Sequence, residues 1–242
     1  KANRKRMDDD LAVQLPYVRR VCDVFRLPIL EVQGFEADDV LATLLATLKE
    51  TGLDRHTIVV VTSDHGEAFW EHGHSGHGKA LYEEEIHIPF VWWAPGLIGP
   101  GRRVSGAVGS LDVVPTLADL LGVEKPAASQ GESLVPLLRA GAAGDQGTGE
   151  RVVFSETSEG GYQLAARSAG WKALLAGEGT PRFFDLAHDP GEEHAEASSP
   201  VAATAERERV RFDAGCARAK AALAAAAPSA PSPTPPAPDP EH

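Results

Sequence analysis

The stretch TIVVVTSDHGEAFWEHGHSGHGKALYEEE, residues 57–85, joins a strand pattern to a dense group of metal-binding side chains. Residues 58–61 are consecutive apolar β-formers, which is typical of a buried strand in a parallel sheet. Asp64 and His65 follow at its carboxyl end, where ligands bind because loops and helix N-termini converge there. A carboxylate oxygen and a neutral imidazole nitrogen both coordinate divalent cations. The pattern therefore predicts a metal site with Asp64 and His65 as ligands.

Residues 63–66, Ser-Asp-His-Gly, also have an interpretation without a metal, as a helix N-cap followed by a solvated loop. Spacing alone does not separate the two interpretations. The surroundings favour the metal site, because glycines leave room for close approach to a ligand and further imidazoles lie nearby. These residues are Gly66, Gly73, Gly76, Gly78, His72, His74 and His77.

Helix and strand patterns on both sides of this stretch predict an α/β fold. Residues 36–52 have the period of an amphipathic helix, with acids in the first turn and a glycine as C-cap. The sequence PILEVQG at 28–34 predicts a strand before it, so that strand, helix and strand form a βαβ unit with parallel strands. Residues 88–96 predict another strand, and residues 110–123 predict a short helix.

The C-terminal part of the chain has a different pattern. Short strand-like runs separated by glycine and polar turns predict a small antiparallel sheet over residues 151–186. A helix is predicted over about residues 200–225. Residues 226–242 are rich in proline and alanine, which predicts a disordered tail.

The composition limits the classes of function. The chain has 242 residues, 43% of them hydrophobic, and a net charge of −12. Such an acidic chain is not built to bind nucleic acid through its overall charge, although residues 1–20 are locally basic. Cys22 and Cys216 lie far apart without metal-ligand spacing, which indicates two idle thiols. No apolar run approaches a membrane span, and the start at Lys1 instead of Met leads us to expect a missing N-terminus.

The central part of the chain resembles the sulfatases of the alkaline-phosphatase superfamily. The resemblance rests on TIVVVTSDHGEAFWEHGHSGHGKALYEEEIHIPFVWWAPG and then, in the family's order, on SLDVVPTLADLLGV, QGESLVPLL, GWKALL and FFDLAHDPGE. It extends over about residues 46–195. It implies a partial parallel-sheet core with a small antiparallel C-terminal subdomain, and a metal-dependent hydrolase of sulfate esters.

By this resemblance Asp64 and His65 are two ligands of the active-site metal, and His77 contacts the sulfuryl group as a donor to developing negative charge. Ca²⁺ is the first expectation, while the imidazole also admits Mn²⁺ or Zn²⁺. The Asp-His pair also occurs in phosphatase and phosphonate-hydrolase relatives, so phosphate or phosphonate monoesters are alternative substrates. His72 and His74 match no ligand position, and we expect them to line the pocket or, more simply, to be solvated.

The resemblance also implies a residue that this chain lacks. Sulfatases use a formylglycine nucleophile made from a Cys/Ser-x-Pro-x-Arg segment, and the metal positions it. Cys22 is followed by DVFRL and Cys216 by ARAKA, so neither fits. We therefore expect that the chain does not turn over sulfate esters unaided. Residues 83–87 are expected to form the solvated start of an edge strand.

The first 45 residues resemble the 5′-nuclease domain of bacterial DNA polymerase I. The resemblance rests on KANRKRMDDDLAVQLPYVRRVCDVFRLPILEVQGFEADDVLATL. It implies DNA phosphate contacts at Lys1 and Arg4, and a catalytic Mg²⁺ site at Glu36, Asp38 and Asp39. Without the resemblance, the three carboxylates are an ordinary acid-rich helix N-terminus.

The two resemblances together predict a chimera with a junction near residues 42–48. We expect a nuclease-like fragment, a partial sulfatase catalytic domain, a C-terminal subdomain and a tail, at residues 1–45, 46–140, 150–225 and 226–242. The alternatives are a DNA-binding 5′–3′ exonuclease fragment and a non-catalytic, misassembled product. A hybrid metal site shared by both acidic clusters is a further hypothesis. The compartment is cytoplasmic if the nuclease-like start is genuine, and otherwise periplasmic or extracellular.

Overall fold

The computed structural model describes residues 37–139, 151–159, 161–176, 180–196 and 199–225. Its backbone contacts divide the chain into two compact units. The described part of the first unit is residues 37–61 and 91–101, and the second unit contains the remaining described residues. The candidate metal ligands Asp64 and His65 belong to the second unit.

The described part of the first unit contains one α-helix, a short 3-10 helix at Asp54–His56 and most of a strand pair. Helix α1, Ala37–Glu50, begins with Asp38 and Asp39 in its first turn, where carboxylates favour the positive end of the helix dipole. Gly52 follows with φ +71°, a left-handed conformation that suits glycine. Strand β1, Val59–Thr62, pairs with strand β4, Phe90–Trp93. The predicted helix and both strands are therefore confirmed.

The predicted βαβ unit needs a strand before α1, and that strand at 28–34 lies outside the described residues. The parallel sheet thus stays a prediction. Lys1, Arg4, Glu36, Cys22 and the tail from residue 226 also lie outside the described residues.

The second unit is built on a four-stranded antiparallel sheet, as the sequence predicts. Its strands lie in chain order and are β5 Val153–Thr157, β6 Gln163–Arg167, β7 Trp171–Ala176 and β8 Arg182–Asp185. Successive side chains of a strand point to opposite faces, so both faces of this sheet can be buried. Ala165, Leu174 and Phe184 pack against Leu81 on one face. Ala166, Ala173 and Phe183 pack against Ala205 on the other.

The two faces carry different parts of the chain. Helix α5, Ala202–Ala225, covers the face that contains Ala166, and Phe212 on it stacks on Phe154 with ring centroids 4.6 Å apart. The opposite face carries Leu81, Tyr82 and Ile86. The segment with the histidine-rich sequence is therefore anchored on the sheet through its own C-terminal end.

Shorter elements complete the second unit. Strands β2, Ala68–Phe69, and β3, Ser75–Gly76, form an antiparallel hairpin, and helix α2 is Glu83–Ile86. Helix α3, Val113–Leu121, ends at Gly122 with φ +67°, and helix α4 is Val135–Arg139. The predicted helix over residues 110–123 is confirmed.

Helix α2 corrects the expectation for residues 83–87. The expectation of a solvated edge strand is wrong, because Glu83–Ile86 is helical and the Glu85 side chain is almost fully buried. The carboxylates of this helix have partners on the four-stranded sheet and on the hairpin, which stabilise their burial. Among the described residues no helix has both the length and the apolarity to cross a membrane.

Candidate functional site

A tight turn after β1 brings Asp64 and His65 together. The Ser63 hydroxyl donates to the backbone carbonyl of His65 at 2.6 Å, and the His65 backbone N–H donates to Asp64 Oδ1 at 3.0 Å. These bonds bend the chain away from the strand alternation that would separate adjacent side chains. As a result, Asp64 Oδ2 lies 3.5 Å from His65 Nε2.

The other ring nitrogen of His65, Nδ1, is hydrogen-bonded to the backbone. Nδ1 lies 2.8 Å from the carbonyl oxygen of Gly66, so it donates there in the neutral tautomer. A hydrogen bond of this kind fixes the tautomer and directs the lone pair of Nε2 outward, as in many metal-binding histidines. In this tautomer Nε2 carries the free lone pair, and it lies 3.5 Å from Oδ2 of Asp64.

Gly66 allows this turn to pack closely against helix α2. Its backbone N–H donates to the carbonyl oxygen of Glu85 at 2.8 Å. A Cβ atom added at Gly66 would lie 2.1 Å from the carbonyl oxygen of Glu84. This approach requires glycine, which confirms the expectation of a thin backbone at this position.

The β2–β3 hairpin adds Glu67 and His77 to the pair. Glu67 precedes β2 and His77 follows β3, and the hairpin brings Glu67 Oε2 within 2.9 Å of His77 Nδ1. The ring of His77 stacks on that of His65 with centroids 3.7 Å apart and planes 25° apart. One ligand atom each from His65, Glu67 and His77 lies within 4.8 Å of the others. The structure therefore brings His65 and His77, which the sequence singles out, into one group with Glu67, and Asp64 lies beside His65.

The sequence analysis missed Glu67. The only signal was its position two residues after His65, within the same acid- and histidine-rich stretch. Its contact with His77 depends on a hairpin that closes ten residues of chain, and spacing does not show this closure.

The donor set fits a divalent cation. Asp64 supplies carboxylate oxygens and His65 supplies an oriented imidazole nitrogen, and both side chains are partly exposed. Ligand atoms of one cation are separated by roughly 3 Å at ordinary bond lengths, so the 3.5 Å between Asp64 Oδ2 and His65 Nε2 needs little adjustment. A mixed oxygen and nitrogen set admits Ca²⁺, Mn²⁺ or Zn²⁺.

His72 and His74 have structural contacts, so the expectation that they are solvated is wrong. Nδ1 of His72 lies 2.6 Å from Glu84 Oε1, and its ring stacks on Tyr82 at 3.6 Å. Nε2 of His74 lies 2.6 Å from Oε1 of the buried Glu85. Both histidines therefore tie the hairpin to helix α2, and neither belongs to the group around His65.

The protonation of His72 depends on its burial and its partners. Burial alone would lower the pKa of the imidazole. The Glu84 carboxylate and the Glu192 carbonyl oxygen accept hydrogen bonds from the ring and outweigh this effect, so the pKa of His72 lies above its ordinary value.

A buried cluster of charges supports helix α2 from the sheet. The fully buried Lys172 on β7 places Nζ 2.8 Å from Glu192 and 3.4 Å from Glu83. Arg167 on β6 also contacts Glu83, at 3.1 Å. Burial would raise the pKa of Glu83, but the two cations hold it below its ordinary value. Burial dominates at Glu192 and raises its pKa.

The residues of the nuclease resemblance are placed only in part. Asp38 and Asp39 are exposed in the first turn of α1, which belongs to the first unit. Glu36, Lys1 and Arg4 lie outside the described residues. The Mg²⁺ site and the hybrid site therefore stay predictions.

Comparison with known proteins finds similarity to a family model in the part of the chain that carries this site. The sulfatase family model matches residues 35–123. These residues include Asp64, His65, Glu67 and His77. A second family model, the 5′-3′ exonuclease N-terminal resolvase-like domain, matches residues 1–68. The two matches overlap over residues 35–68, where helix α1 and strand β1 lie.

Individual proteins that are similar to this chain include a sulfatase and two phosphonate monoester hydrolases. Arylsulfatase K of Xenopus laevis is 34% identical over an alignment of 169 residues, and the match covers 65% of this chain and 31% of the relative. Two phosphonate monoester hydrolases have similar structures. The enzyme of Silicibacter pomeroyi has a TM-score of 0.59 at 29% identity, over 76% of this chain and 39% of its own. The enzyme of Agrobacterium radiobacter has a TM-score of 0.62 at 26% identity, and the match covers 76% of this chain and 40% of that enzyme. The chain thus spans less than half the length of these relatives.

Proposed function

We propose that this chain supplies the metal-binding and sulfuryl-binding residues of a sulfate-ester hydrolase. The observation that carries the proposal is the 3.5 Å approach of Asp64 Oδ2 to His65 Nε2 beside the Glu67–His77 pair. The sulfatase family match over residues 35–123 supports it. The similarity to phosphonate monoester hydrolases supports phosphate or phosphonate monoesters as alternative substrates.

Each residue has a separate role in this proposal. Asp64 and His65 hold a divalent cation, with Ca²⁺ as the first candidate. When bound, such a cation neutralises the sulfuryl oxygens and acts as a Lewis acid. Glu67 accepts Nδ1–H of His77 and so fixes the ring orientation. His77 then presents its Nε2 edge to a sulfuryl oxygen, to which it donates when the ring is doubly protonated.

The chemical step also needs a nucleophile. Neither Cys22 nor Cys216 lies in a Cys/Ser-x-Pro-x-Arg segment. We therefore propose that these 242 residues bind the metal and the ester group but do not turn sulfate esters over unaided. Binding, and not hydrolysis, is the readout that tests the proposal.

The test is isothermal titration of inorganic sulfate and of methyl sulfate into the chain, with Ca²⁺ and with EDTA. We expect binding only with Ca²⁺, and a loss of Ca²⁺ affinity in the Asp64→Asn, His65→Gln double variant. His77→Ala should keep Ca²⁺ affinity and weaken sulfate binding about tenfold or more, as loss of a charge-assisted hydrogen bond does.

The control for these variants is His188→Gln. His188 forms an exposed pair with Asp185 at 2.8 Å, a similar contact on the four-stranded sheet. This variant should bind Ca²⁺ and sulfate as the unaltered chain does. Equal Ca²⁺ affinity in the Asp64, His65 double variant would contradict the assignment of the ligands.

The match of residues 1–68 to the exonuclease domain favours a second candidate function, DNA binding by the basic N-terminus. It predicts an affinity for DNA that falls steeply with salt. Fluorescence anisotropy with a labelled DNA flap at two salt concentrations tests it, and Lys1→Ala with Arg4→Ala should remove the binding. The net charge of −12 opposes this function.

A further inference from the structure

The turn between β5 and β6 places an exposed carboxylate close to His77, the histidine that the proposed function assigns to the sulfuryl group. We propose that Glu159 on this turn attracts an ammonium group in the alcohol part of the ester. The site then favours sulfate esters of amino alcohols over esters that carry a second negative charge. The inference rests on the proposed function, because it takes the sulfuryl group to be bound at His77.

Two hydrogen bonds hold the segment after His77 against the four-stranded sheet. The Thr157 hydroxyl at the end of β5 donates to the carbonyl oxygen of Gly78 at 2.6 Å. The side-chain amide of Gln163 at the start of β6 donates to the carbonyl oxygen of Lys79 at 2.8 Å. Thr157 and Gln163 pair with each other and border the β5–β6 turn. This turn is therefore fixed next to the backbone that follows His77.

The carboxylate of Glu159 lies directly over Gly78. A Cβ atom added at Gly78 would lie 2.8 Å from Oε2 of Glu159 and 3.7 Å from its carboxylate carbon. A Cβ atom is about 1.5 Å from its Cα atom, and adjacent Cα atoms are about 3.8 Å apart, so Oε2 lies within about 8 Å of the Cα atom of His77. Exposed charges interact over about 10 Å at 0.1 M salt, so the carboxylate acts on charges bound at His77.

The Glu159 carboxylate is open to a ligand. Glu159 is exposed, and no residue in the described part of the chain forms an ion pair with it. Lys79, the nearest lysine in the sequence, donates its ammonium group to the carbonyl oxygen of Ser75 at 3.1 Å. The backbone N–H of Glu159 donates to the Thr157 hydroxyl oxygen at 3.3 Å, which holds the main chain of the turn. An exposed carboxylate on a fixed main chain is thus available to a cation on a ligand.

The sign of the second charge decides which esters this arrangement favours. Every sulfate monoester carries one negative charge, which the proposed cation and His77 compensate. An ammonium group on the alcohol part is attracted to Glu159 and can form a charge-assisted hydrogen bond with it. A carboxylate or a second sulfate group at the same place is repelled. Coulombic attraction needs no exact alignment, so the preference does not depend on which sulfuryl oxygen faces His77.

Glu67 is a contrasting carboxylate near the same histidine. Its Oε2 lies 2.9 Å from Nδ1 of His77, so it already has a partner and orients that ring. A change at Glu67 would therefore alter the binding of every sulfate. Among the hydrogen bonds of the described residues, none joins Glu159 to His65, Glu67 or His77. The selection by charge is therefore assigned to Glu159.

The experiment measures the binding of small sulfate esters to the whole chain with Ca²⁺ by isothermal titration at about 0.05 M salt. Ethyl sulfate has an uncharged alcohol part, 2-aminoethyl sulfate adds an ammonium group, and 2-carboxyethyl sulfate adds a carboxylate. Each charged ester is compared with ethyl sulfate, which removes effects common to all sulfates. The unaltered chain should prefer 2-aminoethyl sulfate. Glu159→Gln should lower this relative affinity about three- to tenfold, as loss of a hydrogen-bonded charge does, and raise that for 2-carboxyethyl sulfate.

Glu206→Gln is the matched control, because this exposed glutamate lies on α5, which covers the sheet face opposite Leu81 and Tyr82. It should leave the relative affinities unchanged. An equal effect of both variants, or none in Glu159→Gln, would overturn the inference alone. Raising the salt to about 0.5 M should reduce the preference of the unaltered chain, and a preference that salt does not change would also overturn it. Failure of the unaltered chain to bind ethyl sulfate with Ca²⁺ would overturn the proposed function and the inference together.

Discussion

Gly66 sets the distance between the Asp64–His65 turn and helix α2. Its N–H donates to Glu85, and a Cβ at this position would lie 2.1 Å from the backbone oxygen of Glu84. A backbone atom cannot move aside as the end of a flexible side chain can. The position of the candidate metal ligands Asp64 and His65 therefore depends on the absence of one methyl group.

Gly66→Ala should destabilise the protein by about 1–3 kcal/mol, the usual cost of forcing atoms into a packed site, and should weaken Ca²⁺ binding. Urea denaturation and titration calorimetry measure the two effects. Gly170→Ala is the matched control, since a Cβ there meets no atom within 4 Å. A Gly66→Ala variant as stable as the control would show that the turn does not rest on α2.

His72 gives a pH dependence to the contact between the hairpin and α2. Its pKa is raised in the folded protein, because the bonds to Glu84 and Glu192 outweigh burial. A raised pKa means that the charged ring stabilises the fold fully below the unfolded pKa of about 6.5. This stabilisation is lost as the pH rises through the raised folded value.

His72→Gln should therefore cost more stability at about pH 5.5 than at about pH 8.5. Urea denaturation of both proteins at the two pH values measures the difference. A cost that is equal at the two pH values, or larger at the higher one, contradicts the charged state of His72.

Helix α2 is held in place by charges on distant elements. Lys172 on β7 is 0% exposed and contacts both Glu83 on α2 and Glu192 after β8. Removing one member of a buried charge group leaves the others without compensation, which costs more than the group contributes as a whole.

Lys172→Met should lower the free energy of unfolding by about 3–5 kcal/mol. Adding Glu192→Gln should recover part of the loss, because it removes one uncompensated carboxylate. Chemical denaturation of both single variants and the double variant gives the coupling. Lys79→Met, at an exposed lysine, should change stability little. Additive losses in the double variant would argue against a direct contact between Lys172 and Glu192.

The elements that the sequence predicted correctly are those with local signals. Strands β5–β8 are separated by glycine and polar turns, and helix α3 ends at Gly122. The sequence signals for these elements therefore lie within a few residues of the elements themselves. Helix α2 was missed because Lys172 and Glu192, which make its burial favourable, are about a hundred residues away. Glu67 was missed for a similar reason, since only the closed hairpin brings it to His77.

The division into two units allows a test of the proposed metal site at the scale of the whole molecule. Asp64, His65, Glu67 and His77 all lie in the second unit, while α1 and its acidic first turn lie in the first. A ligand that binds only the folded state stabilises the unit to which it binds. Ca²⁺ should therefore act on the unfolding of the second unit and leave the first unchanged.

Differential scanning calorimetry with Ca²⁺ and with EDTA measures this effect. At a hundredfold excess over its Kd, Ca²⁺ should stabilise the second unit by about 2.7 kcal/mol. A chain with a net charge of −12 also attracts Ca²⁺ without a specific site, so the measurement belongs at about 0.15 M salt, which screens exposed charges. The Asp64→Asn, His65→Gln variant keeps most of the negative charge but loses the two proposed ligands. If Ca²⁺ also stabilises the second unit of this variant, the stabilisation comes from the overall charge. If Ca²⁺ stabilises only the unaltered chain, the stabilisation comes from binding at the turn after β1.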